Sequence, residues 1–347
     1  MLLRTLDYEE QFHCLAGRCP HSCCVGWEVM LDEDHARRYL AGDDPLSRRA
    51  AEAMVYDETE DAFAFPLSGG RCPFLDGENL CELHRAWGAE ATPLTCQTHP
   101  RFTEDYGEFA ERALSAACPA ANVLLLGSRE PLGFREIETG ETGETGEEGD
   151  DWLPYLVPFR RRLFALLQDR SRPLRARLAE FLILCLLADA VLTDAELDGT
   201  APEALLTLEG GTLEGELPEE GIFPAGFRLL ASLEVLEPNW RDVLRKAETV
   251  APVPQDEALL ERVAVYFAYR SILKCVNDGD LLGRGLYTVF LTLAAERIAA
   301  VCGLGEALRR LSREVEHDAD NVEALLAAFR GGADFDVGRF LRELRNS

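Results

Sequence analysis

Eight of the eleven cysteines in this 347-residue chain lie at or before residue 118. Four of them fall within the stretch CLAGRCPHSCCVGW, which covers residues 14–27 and breaks any regular apolar pattern. The eight are Cys14, Cys19, Cys23, Cys24, Cys72, Cys81, Cys96 and Cys118. Thiolates are soft ligands that select zinc, copper(I) or iron–sulfur clusters. The concentration of cysteines therefore predicts an irregular, metal-binding fold for the first third of the chain.

The spacing of these cysteines leaves the identity of the metal open. A structural zinc site takes four ligands, commonly from two Cys-x2–4-Cys pairs. Cys19 and Cys23 have this spacing, but the adjacent Cys23 and Cys24 cannot both easily face one small ion. Eight thiols suffice for one four-iron cluster with spare cysteines, or for two metal centres. A plain buried-thiol role also stays open for several of them.

Charge and hydropathy narrow the possible partners and the compartment. A net charge of −27 repels phosphate backbones, which argues against general nucleic-acid binding. It would favour a cationic, lysine-bearing protein surface as a partner, and solubility alone is the competing interpretation of this acidity. No run of 18 apolar residues and no secretory signal are seen, which predicts a cytoplasmic protein without a membrane span. In such a reducing compartment disulfides are not expected.

The fold class predicted from the pattern is mainly α. An irregular cysteine-rich metal-binding N-terminal region, residues 1–130, is expected to pack with an all-α helical C-terminal domain, residues 153–347. Between them, residues 131–152 contain three Glu-Thr-Gly repeats and are predicted to be an acidic linker or loop. Apolar residues at helical spacing predict helices near residues 174–186, 260–267, 281–303, 320–330 and 335–345.

Seven arginines interrupt the acidity between residues 160 and 177. They could bind a carboxylate or phosphate, or form solvated faces paired with the surrounding acids. They are Arg160, Arg161, Arg162, Arg170, Arg172, Arg175 and Arg177.

Common catalytic signatures are missing from the sequence. It has no Gly-x-Gly-x-x-Gly turn, P-loop, Gly-x-Ser-x-Gly or His-Glu-x-x-His motif. The Cys-x3-Cys-x2-Cys spacing of radical S-adenosylmethionine enzymes begins at Cys19 but fails at Gly26. No catalytic residue is therefore assigned.

Several linked motifs in residues 12–119 resemble the flagellin lysine-N-methylase family. Three elements, the adjacent Cys-Cys pair, Cys-Pro-Phe-Leu and Cys-x-x-x-Pro, are also shared with small cysteine-rich proteins that chelate zinc or iron. The motifs are Phe12-His-Cys14, Ser22-Cys23-Cys24-Val-Gly26-Trp27, Cys72-Pro-Phe-Leu75, Leu80-Cys81, Thr95-Cys96-Gln-Thr-His-Pro100-Arg101 and Ser115-Ala-Ala-Cys118-Pro119. The helical remainder is similar in character at residues 266–270 and 277–280.

The resemblance implies a bacterial, cytoplasmic protein-lysine N-methyltransferase. Such an enzyme transfers a methyl group from S-adenosylmethionine to surface lysines of a protein substrate, flagellin in that family, and carries a cysteine-bound iron–sulfur cluster, expected to be 4Fe-4S with zinc as the alternative. All eight early cysteines are then candidate metal ligands, with Cys14 and Cys24 ranked behind the others. Positions 97 and 99 are Gln and His where the family is expected to have Arg and Tyr.

Residues expected near the cofactor follow from the same resemblance. They are Trp27, Arg101, Tyr266, Arg270 and Asp278. Core packing for the aromatic residues, a salt bridge for Arg101 and a helix-end turn for Asp278 remain the competing interpretations.

Two functions of other classes stay open beside the methyltransferase. One is a non-enzymatic zinc- or iron-chelating module that acts in binding. The other is a redox sensor that uses labile thiols.

Overall fold

The computed structural model describes residues 1–26, 28–59, 61–140, 150–211, 216–223, 225–332 and 334–346. It is 58 % helical, so the predicted mainly-α class is confirmed. The chain divides into two compact units. The cysteine-rich unit comprises Glu9–Phe102 and Leu114–Asn122, and the helical unit comprises Met1–Tyr8, Thr103–Ala113 and Val123–Ser347. Trp27 and most of the Glu-Thr-Gly repeat lie outside the described residues.

Short strands form two sheets in the described part of the chain. The strands are β1 Leu2–Leu6, β2 Val29–Leu31, β3 Val55–Asp57, β4 Ala62–Phe65, β5 Arg101–Asp105, β6 Phe109–Leu114 and β7 Phe134–Glu138. One sheet has the order β5-β6-β1-β7 and the other the order β2-β4-β3. β1 runs parallel to β6 and antiparallel to β7. The sequence predicted only irregular segments here, because strands of three to six residues offer too few alternating positions to be recognised.

Helices account for most of the remaining structure. They are α1 Glu33–Ala41, α2 Pro45–Ala53, α3 Glu82–Trp87, α4 Leu94–Thr98, α5 Pro119–Leu126, α6 Leu153–Leu167, α7 Leu174–Asp198, α8 Ala225–Ser232, α9 Trp240–Thr249, α10 Glu257–Ser271, α11 Cys275–Asp278, α12 Leu281–Cys302, α13 Leu304–Leu311, α14 Ala319–Gly331 and α15 Val337–Asn346. The five predicted helices correspond to α7, α10, α12, α14 and α15 and are confirmed. A π-helical turn, Ser312–Glu316, follows α13.

Helix α12 lies at the centre of the helical unit, with α7, α10, α13 and α14 packed against it. Gly285 allows a close approach to α7, because a Cβ at this position would come within 2.8 Å of the Cys185 sulfur. The side chain of Asp280 caps the helix by accepting a hydrogen bond from the Gly283 N–H, at 2.8 Å. Nearly every apolar side chain of α12 is buried, so this helix organises the apolar core of the unit.

Helix α12 is also long and apolar enough to cross a membrane, with 22 residues and a mean hydropathy of 1.4 in its most apolar window. Inside the protein, 72 % of that window is buried. A core helix has the same properties, so length and composition alone assign no membrane span. The expectation that no segment spans a membrane stays a prediction.

The arginines between residues 160 and 177 are paired with acids. Six of the seven form ion pairs with Glu111, Glu136, Glu261, Glu180 or Glu296, which favours the second of the two interpretations of this run. Two of the arginines are not on solvated faces, however. Arg160 pairs with Glu111 and Arg177 with Glu261, and all four side chains are at most 5 % exposed. Burial of such pairs requires matched partners, and these pairs supply them.

Candidate metal centre

All eight early cysteines lie in the cysteine-rich unit, and the other three lie in the helical unit. Cys72 is buried, and Cys14, Cys23 and Cys96 are exposed. The remaining four are half-buried. The division of the chain therefore separates the candidate ligands from the thiols of the helical core.

A glycine turn brings Cys24 beside Cys72. Ser68 and Arg71 exchange two backbone hydrogen bonds, of 2.8 and 3.2 Å, around Gly69 and Gly70. Both glycines have positive φ, +61° and +77°, which is the conformation of a two-residue hairpin turn and favours glycine. The returning chain lets the Cys72 N–H donate to the Cys24 carbonyl, at 2.8 Å.

A second turn brings Cys81 back to the same region. The Asp76 carboxylate accepts hydrogen bonds from the N–H groups of Glu78, at 2.8 Å, and Leu80, at 2.9 Å, and these bonds hold the pKa of Asp76 below its usual value. Leu75 then pairs with Cys81 in an antiparallel bridge. The local sequence Leu-Asp-Gly-Glu-Asn-Leu thus explains how two cysteines nine positions apart become neighbours.

Backbone N–H groups point at the sulfur atoms of this loop. The N–H of Phe74 donates to the thiol of Cys72. Cys81 precedes α3, and the backbone N–H groups of His84 and Leu83 at the start of that helix oppose the rise in the pKa of Cys81 that burial causes. Donors of this kind stabilise a thiolate and tune a bound metal centre.

Cys96 lies on α4, which Asp32 and His35 hold in place. The Asp32 carboxylate accepts from the Leu94 N–H, at 2.8 Å, and from the His35 ring, at 2.7 Å. The Gln97 amide lies 3.3 Å from the other nitrogen of the same ring and donates to the Thr92 carbonyl at 2.7 Å. These contacts of Gln97 therefore help to hold the segment that contains Cys96 in place.

The pKa of the His35 ring reflects this support. Burial lowers the pKa, but the hydrogen bonds to the Asp32 carboxylate and the Glu90 carbonyl outweigh burial, so the pKa is raised. A protonated ring can donate from both nitrogens, which suits its two acceptors.

Electrostatic coupling joins Cys24, Cys72, Cys81 and Cys96 into a first thiol group. Burial raises the pKa of Cys72 to about 11, and the charge of Cys24 adds to this effect. Desolvation is the largest cause of the raised pKa of Cys81 and of Cys96, and the charge of Cys24 raises both further. Cys96 is an exposed residue whose thiol is nevertheless crowded by protein atoms.

The pKa of Cys24 itself is lowered to about 7. The largest cause is a hydrogen bond from the Cys23 thiol, whose own pKa is raised in return. Burial opposes this shift, whereas the Ser22 hydroxyl and the charge of Arg71 support it. The ranking of Cys24 behind the other cysteines stays a prediction.

Cys14, Cys19 and Cys118 form a second thiol group. Burial raises the pKa of Cys118, and the charges of Cys19 and Cys14 raise it further. The Ala16 N–H donates to the Cys14 sulfur at 3.3 Å, and the N–H groups of Ala121 and Ala120 donate to Cys118 at the start of α5. Cys23 interacts with both groups, through Cys24 and Cys96 on one side and Cys14 on the other.

The donor chemistry of the unit fits zinc or iron, because the thiols are gathered and hydrogen-bonded as thiolates require. Among the described residues, no three or more His, Cys, Asp or Glu side chains are placed as ligands of one metal ion.

Arg101, a predicted cofactor contact in the cysteine-rich unit, already has neighbours. Its guanidinium lies 3.7 Å from the Glu9 carboxylate and 5.1 Å from the centre of the Phe12 ring. The Glu9 side chain is only 5 % exposed, whereas the Arg101 side chain is 32 % exposed, so water reaches this salt bridge from the arginine side.

Three further predicted contacts, Tyr266, Arg270 and Asp278, lie in the helical unit. The hydroxyl of Tyr266 and the guanidinium of Arg270 both donate to the Glu316 carboxylate, each at 3.0 Å. Asp278 accepts from Arg284. Arg270, Arg284 and Glu316 line one cavity of about 80 Å³, which is large enough for several water molecules.

The supporting residues were not identified from the sequence. Asp32 and His35 carried a local signal, since a carboxylate three residues before another polar side chain is typical of a helix start. Glu316 carried none, because its placement depends on the π-helical turn that follows α13.

Comparison with known proteins matches the cysteine-rich part of the chain. Residues 13–119 match a family model described as "Putative zinc- or iron-chelating domain". Lysine-N-methylase of Salmonella typhimurium is 29 % identical over 131 residues, which are 36 % of this chain and 33 % of that protein. Flagellar biosynthetic protein FliU of Salmonella muenchen is 29 % identical over 130 residues, 36 % of this chain and 77 % of that protein.

Lysine-N-methylase of Salmonella choleraesuis is also 29 % identical, over 130 residues that cover 36 % of this chain and 32 % of that protein. No solved structure matches the chain. The match thus spans about a third of the length of these lysine-N-methylases, and the resemblance inferred from the cysteine motifs is confirmed over that part of the chain.

Proposed function

We propose that the protein is an S-adenosylmethionine-dependent protein-lysine N-methyltransferase whose cysteine-rich unit binds a metal centre, in the form of an iron–sulfur cluster. The observation that carries the proposal is that the family match and the thiols lie in the same part of the chain. Residues 13–119, which match the zinc- or iron-chelating family, contain all eight thiols of the cysteine-rich unit, and the chain also resembles lysine-N-methylases over 131 residues.

The first thiol group is the proposed site of a closed, four-ligand centre, because Cys24, Cys72, Cys81 and Cys96 interact with one another and some accept backbone N–H donors. The second group, with three thiols, would leave a coordination position open. When bound, a metal at these groups would supply a positive centre that fixes the loops and can hold an anionic ligand group.

The acidic surface supports a lysine-bearing protein substrate. With 62 acidic against 35 basic residues, the chain attracts cationic surfaces from a distance. A flagellar protein is the substrate class that the names of the relatives favour. We propose flagellin as the first substrate to test.

Trp27, Arg101, Tyr266, Arg270 and Asp278 remain the proposed contacts of S-adenosylmethionine. In the helical unit, Arg270 lines the cavity of about 80 Å³ together with the cationic Lys274 and Arg284. This cavity has room for a carboxylate and a few waters but is well below the roughly 300–1,000 Å³ of a whole ligand cleft.

The proposal is tested on protein purified without oxygen. Iron, sulfide and zinc are quantified first, and methyl transfer from labelled S-adenosylmethionine to purified flagellin is then measured. We expect iron with matching sulfide and methylated lysines. Cys24→Ser and Cys19→Ser should each abolish transfer, whereas the matched Cys302→Ser, in the helical unit, should retain it. Metal-loaded protein that neither binds S-adenosylmethionine nor methylates flagellin would contradict the proposal.

A non-enzymatic chelating module is the second candidate. It is favoured by the N–H donors at Cys72 and Cys81, which are typical of a closed structural site. This function predicts stoichiometric zinc, no iron after anaerobic expression with added iron, and no affinity for S-adenosylmethionine. The same metal analysis therefore separates the two functions.

A further inference from the structure

We propose that a second cavity, in the helical unit, binds a planar aromatic ligand that carries an anionic group. The cavity has a volume of about 280 Å³, close to the lower end of the roughly 300–1,000 Å³ found for ligand clefts. The proposal concerns a site without cysteines and does not rest on methyl transfer.

One wall of the cavity is aromatic. The rings of Phe134 and Phe164 stack with their centroids 4.7 Å apart and an interplanar angle of 15°. Tyr269 lies beside both, at 5.9 and 6.3 Å. Phe134 remains 44 % exposed although it is stacked. An exposed ring fixed by a second ring offers a flat apolar face on which a ligand ring can stack.

The remainder of the lining is cationic. Four arginines, Arg4, Arg135, Arg160 and Arg161, stand against two glutamates, Glu111 and Glu136. The lining therefore has an excess of positive charge in a chain whose net charge is −27. An anion is repelled by most of this protein and attracted here.

Two buried guanidinium nitrogens in the lining have no acceptor among the described residues: Nε of Arg160 and Nη1 of Arg4. Arg160 donates through its other two nitrogens to Glu111, and its side chain is only 5 % exposed. Arg4 donates through Nε to Glu136 at 3.0 Å. Buried donors without acceptors are costly and call for a ligand or water. A carboxylate or phosphate oxygen is the acceptor that arginine prefers.

Together these features define the chemical class of the ligand. The aromatic wall selects a flat ring, and the free donors with the excess positive charge select a carboxylate or phosphate attached to it. A purine nucleotide and a purine nucleoside that carries a carboxylate share this chemistry. The experiment has one arm for each source.

Binding of three probes to the full-length protein is measured by isothermal titration calorimetry. Adenosine 5′-monophosphate carries a phosphate, adenosine-5′-carboxylic acid carries a carboxylate, and adenosine carries neither. We expect at least one anion to bind about fivefold or more tightly than adenosine, the contribution of one partly exposed ion pair. The arm that binds more tightly identifies the anionic group. Equal binding of all three probes, or no binding of either anion at millimolar concentration, would overturn the proposal.

Two surface-accessible substitutions test the location. Phe134→Ala removes the stacking face and should lower the affinity for the anionic probe at least fivefold, as loss of a base–aromatic stack does. Arg161→Gln removes one positive charge from the lining and should lower the affinity for the anionic probe by up to about fivefold. Arg172→Gln is the matched control, since Arg172 pairs with Glu180 and does not line the cavity. Unchanged affinity in the first two variants, with melting temperatures as in the parent, would place the binding elsewhere.

Discussion

In the cysteine-rich unit the longest helices, α1 and α2, have nine residues each, whereas α7 and α12 of the helical unit have 25 and 22. A small region built from such short elements buries less apolar surface per residue than a region of long helices. Additional cross-links or metals commonly compensate in regions of this kind. The comparison suggests that the two units are stabilised by different means.

The positions of the thiols and of the charges follow this difference. In the cysteine-rich unit, Tyr39, Phe65 and Phe74 form a small core, and Cys24, Cys72 and Cys81 pack against or within it. In the helical unit, buried ion pairs such as Arg177 with Glu261 lie within an extensive apolar core. One unit thus places potential metal ligands at its core, and the other places matched charges there.

Removal of metal should have the largest effect and should act on one unit only. Structural zinc contributes about 10–16 kcal/mol in small metal-dependent folds, so the cysteine-rich unit should lose its protection without it. We expect treatment with a strong chelator to accelerate hydrogen exchange in residues 9–102 and to leave α7 and α12 protected. The measurement is hydrogen exchange with mass spectrometry. Equal protection of residues 9–102 before and after chelation would remove the contrast between the units.

Single thiol substitutions should show whether the two thiol groups bind separate centres. Cys24→Ser in the first group and Cys19→Ser in the second should each lower the affinity for one centre by more than about 100-fold, since removal of a ligand exceeds the loss of an outer-shell partner. Elemental analysis after gel filtration measures the bound metal per chain, with Cys302→Ser as the control. If both substitutions abolish all bound metal, the eight thiols serve a single centre.

Breaking a buried charge pair should destabilise the helical unit without changing the metal content. Glu261→Ala removes the close partner of the buried Arg177, whose other carboxylate, Glu257, lies 4.0 Å away, and this should cost about 3–5 kcal/mol. Glu180→Ala removes the partner of the more exposed Arg172 and should cost less than about 1 kcal/mol. Urea unfolding followed by circular dichroism measures both. Similar midpoints for the two variants would show that burial of the pair has no special importance.

The smallest of the expected effects is a pH dependence of the stability that the Glu306 carboxylate contributes. Hydrogen bonds from Arg309, opposed by burial and assisted by Arg310, lower the pKa of Glu306 to about 2 from the ordinary value of 4.5. The carboxylate therefore contributes stability above pH 4.5 that is lost as the pH falls toward 2. Glu306→Gln should cost about 2–3 kcal/mol at pH 7 and progressively less below pH 4.5.

Urea unfolding at pH 7, 4.5 and 3 checks this dependence. Glu323→Gln is the control, because Glu323 is 62 % exposed and its pair with Arg330 should contribute little at any pH. A cost of Glu306→Gln that does not change between pH 7 and 3 would contradict the expectation.

Helices were predictable from the sequence where apolar residues continue through a long segment of the chain. The stripe that begins at Leu174 continues through α7, and the apolar stretch from Leu281 is α12. The four-stranded sheet was not predictable, because β1 pairs with Phe109–Leu114 and Phe134–Glu138, more than a hundred positions away. A five-residue strand carries no information about partners at such distances.

The candidate site was predictable in its ligands and not in their grouping. The cysteine residues and their chemistry are evident in the sequence, and the Gly69-Gly70 turn gave a local signal for the hairpin near Cys72. That Cys24 and Cys96 join the same group depends on tertiary contacts through Asp32, His35 and Gln97. The proposed role of Trp27 stays a prediction.

The order of the strands along the chain has a consequence for synthesis and for truncated products. β1 leaves the ribosome first, but its neighbours β6 and β7 follow only after residues 9–102, which contain seven of the eight early thiols. A nascent chain therefore exposes these thiols before the sheet of the helical unit can be completed. A product restricted to residues 13–119 would lack β1 and β7. The fragment would keep β5 and β6, but β6 would lose its neighbour β1, so such a fragment would present an open edge prone to aggregation.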